Sequence, residues 1–327
     1  MKHVLVTGGS GLLGHFLLQR LLEEGYVVTA IIRKTESKIK HPNLKWVAGD
    51  ILDPLLLRSL VQGVEEVYHC AGFVSYAPQD AGLLQQINVD GTTNVVDACL
   101  ATPGVKLCHV SSIAAINRKK GEKLIQEDVK WDPAVERSVY AFSKHYAEME
   151  VWRGISEGLQ AVIVNPSVIL GPGDLERSST QLFKYISDER AFYTQGYANF
   201  VDVRDVVECM WRLMNGNHWG ERFIINGHQA SYHDFFQAVA SLMNKKAPNV
   251  KVPSWVAEIV WRLESVRGKL TGTKPLITKE TARMAKEEHF YSNSKVKAAT
   301  GITFCPLQDT LRWSCEELAK AGTIQRT

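Results

Sequence analysis

Thr7-Gly8-Gly9-Ser10-Gly11-Leu12-Leu13-Gly14 lies between the β-branched run Lys2–Val6 and the amphipathic run Leu12–Glu24. Gly9, Gly11 and Gly14 fit a G-x-G-x-x-G spacing, while Gly8, Gly11 and Gly14 fit a wider one. Glycine permits the tight turn and the close backbone approach that a phosphate needs. The helix that follows then offers its N-terminal N–H groups to the same anion. The stretch therefore predicts a strand, a turn and a helix cradling a dinucleotide pyrophosphate on Gly8, Gly11, Leu12, Leu13 and Gly14.

Further along, the same alternation continues. Val27–Ile32, Leu44–Ala48, Glu66–Cys70, Lys106–Ser111 and Ala161–Asn165 read as strands. Helices are expected at Leu55–Val61, near Ile87–Leu100, and around Tyr140 and Lys144. Continuous apolar strands separated by helices indicate a parallel sheet covered on both faces. After Pro166 the rhythm breaks at Gly171-Pro172-Gly173, and Asp205–Met214 with Glu221–Ile225 returns as one more helix and strand. The expected fold class is α/β: a Rossmann-type doubly wound parallel sheet with a smaller, mainly helical C-terminal substrate domain. Residues 1–165 and 200–226 are assigned to the dinucleotide-binding part, and 166–199 and 227–327 to the substrate-binding part.

Composition narrows the function classes. The chain has 327 residues, 45% apolar and 22% charged, and a net charge of +3. No basic run exceeds Lys119-Lys120 or Lys245-Lys246, so nucleic acid is not an expected partner. The six cysteines show no Cys-x-x-Cys and no paired His/Cys spacing. That usage predicts buried thiols in a reducing, cytoplasmic setting, with neither a disulfide framework nor a metal site. The strand at the N-terminus argues against a signal peptide, and no apolar run reaches the roughly 18 residues of a membrane span.

The candidate chemistry centres on Tyr140-Ala141-Phe142-Ser143-Lys144. Four residues apart on a helix, the phenol and the ammonium share one face. A nearby cation favours the phenolate, so the pair is expected to lower the tyrosine pKa and to act as a general acid/base. Ser112 stands twenty-eight residues upstream of Tyr140. At the end of the second strand, Ile31-Ile32-Arg33-Lys34 has no acid before Glu36. A guanidinium there suits a ribose 2′-phosphate, which favours NADP(H) while leaving NAD(H) open.

With these pieces in register, the chain resembles an extended short-chain dehydrogenase/reductase over nearly its whole length. The matching segments are the glycine loop, Gly49-Asp50-Ile51-Leu52-Asp53, His69-Cys70-Ala71-Gly72, Asn88-Val89-Asp90-Gly91-Thr92, Val110-Ser111-Ser112, Tyr140 with Lys144, and Asn165-Pro166-Ser167-Val168. Within that family it is most similar to the dihydroflavonol 4-reductase-like branch. The resemblance implies that Asp50 accepts from the adenine amino group, with Ile51 packed beside the ring. It implies that Ala71 and Gly72 let the cofactor lie close over a strand end, and that Pro166, Ser167 and Val168 flank the nicotinamide. Ser112, with Ser111 as the fallback, would bind the substrate oxygen, Tyr140 would exchange the proton, and Lys144 would hold the ribose hydroxyls. Helices such as the Tyr140 helix often pair in this family, so a homodimer is expected.

Nucleotide-sugar epimerases and dehydratases share the scaffold and use NAD. They commonly place a diphosphate-binding arginine where this chain has Ala198, and an asparagine after the sixth strand where it has Pro166-Ser167-Val168. Arg177 and Arg204 are not at the expected place, and Arg204 reads as the start of a surface helix. Phe73, Tyr76 and Asn117, with Phe183, Phe192 and Tyr193, are the candidate lining of an apolar substrate cleft. Trp255–Val266 has helical spacing on one apolar face, which suits a lid, a membrane-surface helix or a core-packed one. The expected activity is carbonyl reduction, or alcohol oxidation, on a small apolar substrate with NADP(H). A nucleotide-sugar 4-epimerase or dehydratase using NAD is the first alternative, and a non-catalytic dinucleotide sensor the second.

Overall fold

Val4, Leu5 and Val6 are all fully buried in the first strand, His3–Thr7, because helices cover both faces of the sheet to which it belongs. The computed structural model describes residues 1–33, 39–118, 123–132, 135, 137–253 and 289–324. Seven strands pair in the order Glu221–Ile225, Gln160–Pro166, Lys106–Val110, Glu66–His69, His3–Thr7, Val27–Ile32, Leu44–Ala48, and every pairing is parallel. The strand period of two sends Val4 and Val6 to one face and Leu5 to the other. On the first face, Leu12–Glu23 and Val203–Asn215 supply Leu17, Leu18, Leu21, Val206 and Met210. On the second, Pro54–Val61, Gly91–Leu100 and Val139–Ser156 supply Leu57, Val95, Val96 and Val151.

The chain winds outwards in both directions from His3–Thr7, which has the second strand on one side and Glu66–His69 on the other. Such a switch point opens a crevice at the C-terminal ends of the strands, where a ligand fits. A second, three-stranded sheet carries Val168–Leu170 parallel, and His228–Ser231 antiparallel, to Tyr197–Asp202. Helices Gln181–Ser187, Tyr232–Met243 and Leu307–Lys320 enclose its core, where Phe200 stacks on Phe235 with centroids 4.7 Å apart.

The strands and helices fall close to the expected positions, but the division into parts differs. Tyr197–Asp202 lies wholly in the smaller sheet, although 200–202 was assigned to the larger part. Conversely, Val296 from the helix Ser294–Thr300, with Ile302 and Phe304, packs into the larger core beside Val206 and Met210. The described C-terminal residues also include strands His228–Ser231, Val250–Val252 and Phe290–Tyr291, so that part mixes helix and strand. Trp255–Val266 lies outside the described residues. Among those described, no helix is long and apolar enough to cross a membrane. All six cysteines are free, and four of them are buried.

The first turn settles which glycines matter. Gly8 has φ +73°, and a Cβ on it would sit 2.5 Å from the Ala71 nitrogen. A Cβ on Gly14 would stand 2.2 Å from the Gly8 carbonyl oxygen. Gly9 would meet only side chains of Leu18 and Trp46, so the wider register of Gly8, Gly11 and Gly14 is the one built into the backbone. Replacing Gly8 with Ala is expected to cost at least about 1–3 kcal/mol of stability, read as a lower midpoint of urea unfolding. An unchanged midpoint would show that the turn can relax.

Candidate active site

The helix Val139–Ser156 packs on the second face of the sheet, its polar residues beside the C-terminal end of Lys106–Val110, and carries the candidate acid/base. Ser138 caps it, its Oγ accepting from the Ala141 nitrogen at 3.0 Å, which fixes where the first turn begins. Tyr140, Lys144 and Glu148 follow at intervals of four on one buried face, at 8%, 5% and 1% exposure. Ser112 lies close enough to the Tyr140 phenol to oppose the upward push of burial on its pKa. The neighbouring Ser111 is turned away and donates to Glu148 Oε1 at 2.5 Å. The structure thus brings Ser112, not Ser111, to the tyrosine.

Lys144 Nζ donates to the Val110 carbonyl at 2.8 Å, beside Gly72. Burial pushes its ammonium down to about 8, against the pull of Glu148 and Cys70 in the other direction. Burial also holds the Tyr140 phenol above its ordinary value, with Ser112 opposing. This corrects the expectation of a tyrosine lowered by its lysine neighbour. The ammonium is held on a backbone carbonyl, and loss of water outweighs the field it exerts on the phenol.

The strand ends around the switch point carry the residues expected to hold the dinucleotide. Gly11 begins the helix Leu12–Glu23 with no side-chain cap and no acid in its first turn, so its leading N–H groups face the loop. Thr7 Oγ1 links His69 Nδ1, at 2.7 Å, to the Ala71 nitrogen, at 3.2 Å, and so ties the two central strand ends together. Asn88 clamps the next segment: its Oδ1 accepts from the Phe73 nitrogen at 2.7 Å, and its Nδ2 donates to the Phe73 carbonyl and to Ser143 Oγ, both at 2.9 Å. Pro166 closes its strand, Val168 opens the next, and the buried Ser167 Oγ between them has no partner. A glycine-lined turn, an uncapped helix start and an orphaned hydroxyl over one crevice fit a bound dinucleotide.

At the far end, Arg33 stands 3.8 Å from Asp50, both side chains well exposed. Asp50 Oδ1 also accepts from the Leu52 nitrogen at 3.0 Å, so it shapes the strand-end turn as well. Ile51 is buried against Gly91 in the core.

On the substrate side, the Tyr76 ring meets Tyr140 edge-on at 5.6 Å, and Phe73 is half-buried beside it in sequence. Asn117 is a second correction. It is 2% exposed, its Nδ2 donates to the Lys130 carbonyl at 2.5 Å, and its Oδ1 accepts from the Arg118 nitrogen and from Arg137. The amide braces its own loop. Phe183 is fully buried in the smaller core, whereas Phe192 is exposed and Tyr193 packs on His233. Ala198 is buried, and Arg204 holds Asp202 while lying 3.8 Å over the Trp313 ring. Asn88 and Glu148 also hydrogen-bond into this cluster, although the sequence did not single them out. Asn88 was visible only as part of a motif, and Glu148 only by its spacing of four from Lys144.

Residues 4–226 match the model of the NAD dependent epimerase/dehydratase family. A Synechocystis sp. protein provisionally named as a dihydroflavonol 4-reductase is 30% identical over 318 residues, covering 94% of this chain and 91% of its own. Sterol demethylase protein B of Methylococcus capsulatus is 28% identical over 253 residues, 76% of this chain and 77% of its own. The crystal structure of gox2253 superposes with a TM-score of 0.85 at 29% identity, covering 99% of this chain and 100% of that one. The chain belongs to the NAD dependent epimerase/dehydratase family, as an NAD(P)-dependent enzyme of the extended short-chain dehydrogenase/reductase type with a dihydroflavonol 4-reductase-like sequence.

Proposed function

We propose that this enzyme is an NADP(H)-dependent reductase of a carbonyl on a hydrophobic, ring-bearing substrate, able to run in reverse as an alcohol dehydrogenase. The observation that carries this reading is the buried Tyr140 phenol, beside Ser112 and walled by the Tyr76 ring. The bound nicotinamide supplies or accepts the hydride. Ser112 and Tyr140 hold the substrate oxygen between two hydroxyl donors. A phenol raised by burial is fully protonated at neutral pH, which suits a proton donor to a forming alkoxide. Lys144, charged below about 8, would hold the cofactor ribose and maintain the proton supply.

The aromatic lining supports an apolar substrate, and the relatives' names point to a dihydroflavonol and a sterol. Among the described residues, the cations once considered for a diphosphate are engaged: Arg204 with Asp202, and Arg177 with Asp174 at 3.0 Å. Ala198 has no charge to offer, which weighs against a nucleotide sugar. Arg33 is exposed and held to Asp50 only at 3.8 Å, so a ribose 2′-phosphate can draw it away at little cost. That geometry supports NADP(H) over NAD(H).

Tyr140→Phe is expected to cut turnover by about 100-fold or more, with NADPH affinity within about twofold of the parent. NADPH oxidation against a panel of aldehydes, flavonoid and steroid ketones and nucleotide sugars reads the first, and a fluorescence titration the second. Retained turnover would remove Tyr140 from the mechanism. Arg33→Ala should raise KM for NADPH about tenfold, a loss of roughly 1.4 kcal/mol, and leave KM for NADH nearly unchanged. Equal effects on the two would sink the preference for NADP(H). Carbonyl reduction needs protonated groups, so its kcat should decline as pH rises through about 8. Alcohol oxidation, which needs the phenolate, should increase only at higher pH, above the ordinary phenol range.

A further inference from the structure

Glu148 is the most deeply buried carboxylate near the site, at 1% exposure, and the proton-handling scheme does not use it. It lies one helical turn beyond Lys144, on the face that already carries Tyr140. Three elements converge on it. Ser111 Oγ donates to Oε1 at 2.5 Å from the end of the strand Lys106–Val110. Asn165 Nδ2 donates to the same oxygen at 2.5 Å from the strand Gln160–Pro166. Arg222, on the edge strand Glu221–Ile225, approaches Oε2 at 3.3 Å and gives its remaining N–H groups to the Glu127 carbonyl.

Asn165 connects this cluster to the reacting end. Its Nδ2 also donates to the Ser112 carbonyl at 2.9 Å. The backbone of the residue that meets Tyr140 is therefore held by an amide that the Glu148 carboxylate itself orients. Glu148 is also the strongest opposing influence on Lys144, raising its ammonium against the cost of burial. The other titratable groups facing Lys144 are Cys70, whose burial pushes it up to about 12, and His69 and His109, whose burial pushes them far below their ordinary value. None of these three carries charge at neutral pH. Glu148 is thus the anion that answers the Lys144 ammonium among the groups packed around it.

We infer that Glu148 is a positioning residue for this site, fixing Ser112 through Asn165 and supplying the counter-charge to Lys144. The inference rests on reading Tyr140 and Lys144 as the proton-handling groups. A carboxylate this deeply buried costs several kcal/mol in lost hydration unless it is paired. Here the ion pair with Arg222 and the two donors, Ser111 and Asn165, offset that cost. Locking three strands to one helix is the geometric consequence.

Two substitutions separate charge from shape. Glu148→Gln keeps an oxygen that can accept from Ser111 and Asn165 but removes the charge. Glu148→Asp keeps the charge and shortens the reach by one methylene. In protein labelled with ¹³C at the lysine ε-carbon and free of cofactor, the Lys144 signal, assigned by its loss in Lys144→Arg, reports the ammonium directly. In Glu148→Gln its titration midpoint should fall by about one unit or more, and the high-pH limb of kcat should move down with it. In Glu148→Asp the midpoint should stay put while kcat for ketone reduction falls about tenfold or more at unchanged KM for NADPH. Glu150→Gln, on the outer side of the same helix and paired with Arg153 at 3.0 Å, should change neither.

An unmoved Lys144 midpoint in folded Glu148→Gln overturns the electrostatic half of the inference. Parental kcat in Glu148→Asp overturns the positional half, and that variant decides the matter alone if Glu148→Gln does not fold. Because the midpoint is read without substrate or cofactor, failure of the reductase reading, seen as an active Tyr140→Phe, is a separate result.

Discussion

Docking the helix Val139–Ser156 against the strands Lys106–Val110 and Gln160–Pro166 is the constraint on which the rest of the site depends. That helix presents a phenol, an ammonium and a carboxylate to the protein interior at successive turns, at 8%, 5% and 1% exposure. Burying such groups unpaired is prohibitive, so the helix can settle only where each one meets a partner. Lys144 finds the Val110 carbonyl, Glu148 finds Ser111, Asn165 and Arg222, and Tyr140 settles beside Ser112 and the Tyr76 ring. A slip of one residue would rotate the face by about 100° and strand all three. The polar face specifies the register more sharply than apolar packing could, since Val151 and Ala147 would tolerate a small slide.

The same economy appears on the cofactor side. Six residues, Gln85–Asp90, form a π-helical turn between Ala81–Leu84 and Gly91–Leu100. Such a turn inserts an extra residue, frees backbone carbonyls and is common near functional sites. Here Thr92 Oγ1 takes up the Asn88 carbonyl at 2.6 Å, and Thr93 Oγ1 the Val89 carbonyl at 3.0 Å. The bulge thereby costs little, and it leaves the Asn88 side chain aimed at the Phe73 backbone and at Ser143. The segment Ala71–Phe73 is thus held between the first glycine loop and the catalytic helix, where the nicotinamide half of a dinucleotide would pass.

What could be read from the sequence divides along physical lines. A buried parallel strand announces itself because both faces must be apolar, so Val27–Ile32 was legible to the residue, and the apolar runs of the edge strands Leu44–Ala48 and Glu221–Ile225 were legible beside it. Patterns of one residue per turn, such as Tyr140 with Lys144, were legible for the same reason of periodicity. What a spacing cannot carry is competition between neighbours. Ser111 and Ser112 are equivalent on paper and separate only when Glu148 claims one of them. Asn117 has the right distance from Ser112 for a substrate contact, but the Lys130 carbonyl and Arg137 reach its amide first. Phe183 belongs to a variable region where an aromatic suits a cleft or a core equally, and the stacked Phe200–Phe235 pair draws it inward.

The tyrosine pKa is the instructive case, because the local rule was sound and the outcome opposite. A cation one turn away does favour a phenolate, but only as far as its field goes unmatched. Lys144 lies against the Val110 carbonyl dipole and near the Glu148 carboxylate, and both neutralise much of what Tyr140 would feel. Desolvation of the buried phenol prevails. The protein without cofactor therefore holds its proton on the tyrosine, ready for donation. Lowering that phenol for the reverse reaction would need the ammonium released from its carbonyl or set against an unscreened path.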